Sequence, residues 1–132
     1  MIKLVDILLE DATANMANHL ESTLMSKFPQ IDKLGIYAQQ NRVLYLSDLY
    51  IKPEFRGQGI GSKIMKYITD FADSNNLTIV LIPEPESLKK SAVKRLVDFY
   101  KRFGFVINTG GNIDYELSEP FATNMYRYPK NK

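Results

Sequence analysis

LSDLYIKPEFRGQGIGSKIMKYITDF, Leu46 to Phe71, decides how the rest of the chain is read. It opens with alternating apolar and polar residues, as a half-buried strand does, and ends with apolar residues at helical spacing. Between them stand Lys52-Pro53-Glu54-Phe55 and the glycine-rich run Arg56-Gly57-Gln58-Gly59-Ile60-Gly61. Pro53 has no N–H to offer a ladder and closes the strand, while the glycines permit positive φ and close approach of a ligand to the backbone. The helix that follows begins with unpaired amides, which together with its dipole suit an anion such as a phosphate.

Spacing separates the families that place glycine here. No Gly-Lys-Ser/Thr follows the turn, so it is not a P-loop. A dinucleotide fingerprint beginning at Gly57 would need its third glycine where Ser62 stands. R-x-x-G-x-G does fit, as Arg56, Gly59 and Gly61 directly after a strand, and this resembles the acetyl-coenzyme A signature of the GNAT N-acetyltransferase superfamily. A plain strand-to-helix connection is the bland alternative. The strand before, the amphipathic helix after and the placed arginine weigh against it.

Composition sets outer limits. The chain has 132 residues, 45% hydrophobic and 24% charged, enough for one domain (1–132) with a real core. There is no cysteine, so neither a disulfide nor a cysteine nucleophile is available, and with one histidine a zinc site is not expected. A net charge of +2 with scattered basic residues gives no ground for a nucleic-acid partner. No apolar run reaches the roughly eighteen residues of a membrane span, and Met1-Ile2-Lys3 opens neither a signal nor a transit peptide. A cytoplasmic location without membrane contact is the expectation. The oligomeric state stays open, a homodimer included.

In chain order, Ile2 to Leu9 is expected as a short strand, although Leu8-Leu9 would equally begin a helix. Asp11 or Thr13 would cap a helix presenting Met16, Leu20, Leu24 and Phe28, ended by Pro29. The lone His19 beside that face is a surface or packing residue rather than a catalyst. Leu34 to Gln39 and Arg42 to Ile51 form a hairpin about Gln40-Asn41. After the glycine turn comes a helix with Ile60, Ile64, Ile68 and Phe71 or Ala72 on one face, stopped by Ser74-Asn75-Asn76. Leu77 to Pro83 reads as a buried strand and Pro83 to Lys90 as a loop. A helix over Ser91 to Phe103 carries Val93, Leu96, Val97, Tyr100 and Phe103 on one stripe, with Gly104 as its stop and Phe105-Val106-Ile107 as the next strand. Asn108 to Asn112 is a loop, Thr123 to Tyr128 a closing strand, and the last four residues should fray. The sum is an α/β (α+β) chain with a mixed central sheet flanked by helices.

A second segment strengthens the resemblance. Phe99-Tyr100-Lys101-Arg102-Phe103-Gly104-Phe105 is similar to the F/L-Y-x-x-x-G-F helix-to-strand pattern of GNAT proteins, in the order and at the separation that family shows. Together the two motifs cover Leu34 to Ile107. An asparagine common one or two turns before that tyrosine is absent, Ser91 and Val93 standing in the region. The N-terminal part, which shapes the acceptor pocket in the family, is short. The ending Met125-Tyr126-Arg127-Tyr128-Pro129 and the compact size resemble small GNAT proteins encoded by phages.

Moving an acetyl group from a thioester to an amine requires a neutral amine, a stabilised oxyanion and a proton for the departing thiolate. Without cysteine, direct attack by the amine is the economical route. The amides of Gly57, Gln58, Gly59, Ile60, Gly61 and Ser62 would hold the pyrophosphate, with Arg56 adding positive charge. The resemblance places the oxyanion contact on the backbone near Leu49, Tyr50 and Ile51, and makes Tyr100 the general acid. Tyr100 is equally a core tyrosine on an apolar stripe. Asp48, within a central strand, and Glu84 or Glu86, beyond the carboxyl end of a buried one, are candidate bases acting through water, although a solvated loop explains both glutamates. The resemblance thus implies an acetyl-CoA-dependent N-acetyltransferase acting on a small-molecule amine or a protein lysine. The alternative is an inactive coenzyme-binding or interaction module with the same fold.

Overall fold

The computed structural model describes residues 4–84, 89–114, 117 and 124–130. Helix α1 runs from Leu4 to Lys27, so the expected N-terminal strand over Ile2 to Leu9 is helical from Leu4 onward; Ile2 and Lys3 lie outside the described residues. A short apolar run has no period of its own to choose strand over helix. Here Leu8-Leu9 leads into the repeat that buries Ala17, Leu20 and Leu24, and the helix extends through it. Asp11 and Thr13 accordingly sit inside the helix rather than at its cap, and Thr13 is buried. Full burial of Leu20 and Leu24 contributes about 1.5–3 kcal/mol each. His19 is exposed on the helix surface.

Strands β1 (Ile31–Gln39) and β2 (Val43–Ile51) form the hairpin, with Asn41 and Arg42 both at positive φ in the turn. The chain continues through a 3-10 turn, Pro53–Phe55, into α2 (Ile60–Ser74), then β3 (Thr78–Leu81), α3 (Lys90–Lys101), β4 (Val106–Ile107) and β5 (Met125–Arg127). Among the described residues this gives a five-stranded mixed sheet ordered β1-β2-β3-β5-β4, with three α-helices. The pair β2/β3 is parallel and the others are antiparallel. Thr123, at the start of the expected closing strand, and residues 85–88 of the expected loop lie outside the described residues, as do the last two residues of the expected frayed end.

Alternation along the strands sorts side chains onto two faces. Leu44, Leu46, Ile79, Leu81 and Met125 join the main core, where Leu20 and Leu24 of α1 meet Ile64, Met65, Ile68 and Ala72 of α2. Val43, Val80 and Tyr126 make a smaller cluster. α3 adds Tyr100 to the main core, with Leu96, Val97, Phe99 and Phe103 packed against it. Gly104, at φ 92, ends that helical segment, where a residue with a Cβ would be strained. The C-terminal strand is tied down by Arg127, which pairs with Asp73 at 2.8 Å and donates from Nε to the Phe103 carbonyl.

Candidate active site

A groove opens where β2 loses one neighbour. Its parallel register with β3 runs from Val43↔Thr78 to Leu46↔Leu81, whereas its antiparallel register with β1 continues to Ile51↔Ile31. At that point Ile36 pairs with Leu46 and Gly35 with Asp48, which leaves Ser47 as the extra residue of a bulge. A bulge bends its strand and increases the local twist, and here it coincides with the end of β3 pairing. Gly35 makes room for it: a Cβ there would lie 2.3 Å from Ser47 Oγ. The free edge of β2 from Ser47 to Ile51 forms one side of a cavity of about 590 Å³, within the range of small-molecule sites.

α3 forms the opposite side with Arg95, Leu96, Phe99, Tyr100 and Arg102. A second depression of about 470 Å³ lies against the glycine turn and shares Leu49, Ile51, Arg56, Leu96, Phe99 and Tyr100 with the first, so the two are one groove. Gly57, Gly59, Ile60, Gly61 and Ser62 line its turn end.

The turn has the geometry its glycines allow. Gly57 and Gly59 adopt φ 80 and 77, a region that costs residues with a Cβ about 1–2 kcal/mol. Gly59 is the N-cap of α2 and no side chain caps the helix. The first amide to find an intrahelical acceptor is that of Lys63, which reaches the Gly59 carbonyl at 3.2 Å, so the amides before it are open to an anion. Arg56 lines both parts of the groove, and its Nε donates to the Ile51 carbonyl at 3.0 Å, holding the guanidinium beside the end of β2. Gln58 turns its side chain back to the Glu54 carbonyl and lines neither part, so it can contribute only its backbone.

Tyr100 stands at the floor. It is 8% exposed and meets Phe99 and Phe105 edge to face with ring centroids 5.3 and 5.8 Å away. Burial, and secondarily the neighbouring Tyr50 hydroxyl, push its pKa up to about 12, so it keeps its proton at neutral pH. Tyr100 is therefore a core ring that also lines the groove. Asp48 lines the cavity, accepts a hydrogen bond from Ser47 Oγ at 3.1 Å and pairs with Lys33 at 3.6 Å. Glu84 is exposed at the rim of the same cavity, while Glu86 lies outside the described residues.

Sequence reasoning missed the bulge at Ser47 and the residues beside Tyr100 that also line the groove, Arg95, Leu96, Phe99 and Arg102. An isolated glycine inside a strand, Gly35, was the available signal for the first. Phe99, Arg95 and Arg102 gave none, because a helix residue next to an opened sheet looks like any solvent-facing one.

These features define a class: an α/β chain whose sheet parts beside a glycine turn, with an uncapped helix start at one end of the groove and a protonated tyrosine at its floor. The chain belongs to the GNAT acetyltransferase family, whose domain model, described as an acetyltransferase (GNAT) domain, matches residues 29–107. Among curated proteins it is similar to thialysine N-epsilon-acetyltransferase of Sus scrofa, 41% identical over 63 residues that cover 48% of this chain and 34% of the relative. The Bos taurus protein of that description is 38% identical over 68 residues, 49% of this chain and 35% of the relative. The matched region thus spans about a third of those relatives' length. Two solved structures share the fold. A putative GNAT-family acetyltransferase from Bacteroides thetaiotaomicron has TM-score 0.52 at 19% identity, covering 74% of this chain and 55% of that one. Ard1 from Thermoplasma volcanium has TM-score 0.51 at 21% identity, covering 74% and 62%. No helix among the described residues is long and apolar enough to cross a membrane.

Proposed function

We propose that the groove takes acetyl-CoA and that the chain moves its acetyl group to a primary amine by direct attack. One observation carries this reading: the uncapped start of α2, the free edge of β2 and the buried hydroxyl of Tyr100 all border a single groove.

Bound there, acetyl-CoA supplies an activated acyl group as a thioester. The amides from Gly57 to Ser62 hold the pyrophosphate, with the Arg56 guanidinium beside it. The backbone near Leu49, Tyr50 and Ile51, free of β3, donates to the carbonyl oxygen as negative charge develops on it. Tyr100 faces the leaving sulfur as a donor. A thiol of ordinary pKa near 8.5 is a stronger acid than a tyrosine at about 12, so Tyr100 stabilises the sulfur by hydrogen bonding and completes proton transfer only when resupplied from solvent. Asp48 and Glu84, on the same cavity, relay the amine's proton through water.

The curated relatives acetylate the ε-nitrogen named in their description, which supports a primary amine on a flexible aliphatic chain as the acceptor class. Incubating the protein with acetyl-CoA and a panel of thialysine, polyamines and lysine peptides tests this. Free thiol release that depends on one class of amine, with a mass gain of one acetyl group on the product, is expected. Coenzyme binding with no release for any amine, on the panel or in a cell lysate, would favour the inactive binding module.

A further inference from the structure

The register of β1 against β2 brings a lysine of the chain itself to Asp48. Beyond the bulge at Ser47, Leu49 and Ile51 pack against the main core, so Asp48 and Tyr50 point from the other face of β2. Lys33 of β1 is the direct partner of Tyr50 and shares that face, while Gly35 is the direct partner of Asp48. Gly35 puts no side chain in the way, and Lys33 reaches diagonally past it to bring Nζ within 3.6 Å of Asp48 Oδ1. The lysine amine therefore rests on a carboxylate that lines the cavity, opposite the residue whose backbone borders the reacting thioester in the reading above. Tyr50 lines the cavity too, and stands close enough to Tyr100 to add, after burial, to the rise in its pKa. The Lys33 side chain is 65% exposed, and a pair so exposed holds its partners weakly, so the amine is free to swing towards the groove. The pairs Lys66–Asp70 and Lys94–Asp98 each link residues one turn apart on a helix surface, and none of those four residues lines the cavity.

We infer that the chain acetylates its own Lys33, so that β1 carries a modification site beside the groove. This rests on the acetyl-CoA reading above. Lys33 Nζ forms a bond to the acetyl carbonyl carbon, and the C–S bond of the thioester breaks. In passing from ammonium to amide the lysine nitrogen gives up two protons. One is taken up by the departing thiolate and the other is released to water, with Asp48 as the relay. Attack within one chain gains from proximity, because the amine is already tethered at the site. The product is a neutral amide, so self-acetylation also removes the positive charge that pairs with Asp48.

Mass spectrometry of the chain and its peptides, before and after incubation with acetyl-CoA alone, tests the inference. One acetyl group on Lys33 is expected, gained at a first-order rate that dilution of the protein does not change. The same chain in denaturant should show no preference among its lysines. Lys33→Arg, which keeps a cation beside Asp48, should remove the fast labelling. Label that appears no faster on Lys33 than on the other lysines, or at a rate that grows with protein concentration, overturns the inference. So does an unmodified Lys33 in protein that binds acetyl-CoA by calorimetry. Transfer to an amine of the panel above then leaves the coenzyme reading standing, and its absence favours the inactive binding module. A chain that binds no acetyl-CoA overturns both.

Discussion

The two walls of the groove are made of different material. On one side, β2, the glycine turn and the first turn of α2 offer mainly backbone: a strand edge without a β3 partner, two glycines at positive φ and a helix start with no side-chain cap. On the other, α3 offers side chains: Arg95, Leu96, Phe99, Tyr100 and Arg102. A backbone wall does not depend on side-chain identity, and it fails only where a conformation is forbidden. A side-chain wall is open to substitution at every position.

The largest expected effect falls on the side-chain wall. Tyr100→Phe keeps the ring and its edge contacts, so turnover should fall on the order of 10²- to 10⁴-fold with coenzyme affinity nearly unchanged. Near-normal turnover would return Tyr100 to the core alone. The same variant sharpens the comparison at high pH. The folded pKa of about 12 lies above the 10.0 of an ordinary tyrosine, so stability from the neutral hydroxyl is complete below pH 10 and lost as pH rises towards 12. That loss is on the order of 3 kcal/mol in the wild type, and alkaline denaturation of Tyr100→Phe should lack it.

On the backbone wall, Gly59→Val should cost the unliganded fold about 1–2 kcal/mol, because φ is 77 and nothing within 4 Å blocks a Cβ. It should also remove stabilisation by coenzyme, about 2.7 kcal/mol at a hundredfold excess over the dissociation constant. A variant that melts lower yet keeps the full ligand shift would show that the turn does not hold the phosphates. The smallest effect is at the bulge. Gly35→Ala forces a Cβ against Ser47 Oγ and should destabilise by about 1–3 kcal/mol, and adding Ser47→Ala should recover part of it. Strict additivity in that cycle would separate the bulge from Gly35.

Local features were legible in the sequence. Ile60, Ile64, Ile68 and Ala72 are buried on α2, and the turn sits where Gly57 and Gly59 permit it, since periodicity and positive φ are written within a few residues. Non-local features were not. The helix over Leu4–Lys27 absorbs a segment that reads equally as strand, because α1 takes its direction from packing on β1 and α2 rather than from the segment itself. The order β1-β2-β3-β5-β4 sets the last strand between two earlier ones, a placement that no local pattern encodes. Asp48 was picked out as an odd carboxylate in a central strand, and the reason it is tolerated, a bulge at Ser47 and a missing neighbour, depends on the register with β1 and β3.

Thermal unfolding of the chain with and without acetyl-CoA decides whether this groove binds it. At a hundred times the dissociation constant, binding should add about 2.7 kcal/mol of stability, a rise in melting temperature of roughly 10 °C for a chain of this length. An identical melting temperature at saturating acetyl-CoA would contradict it.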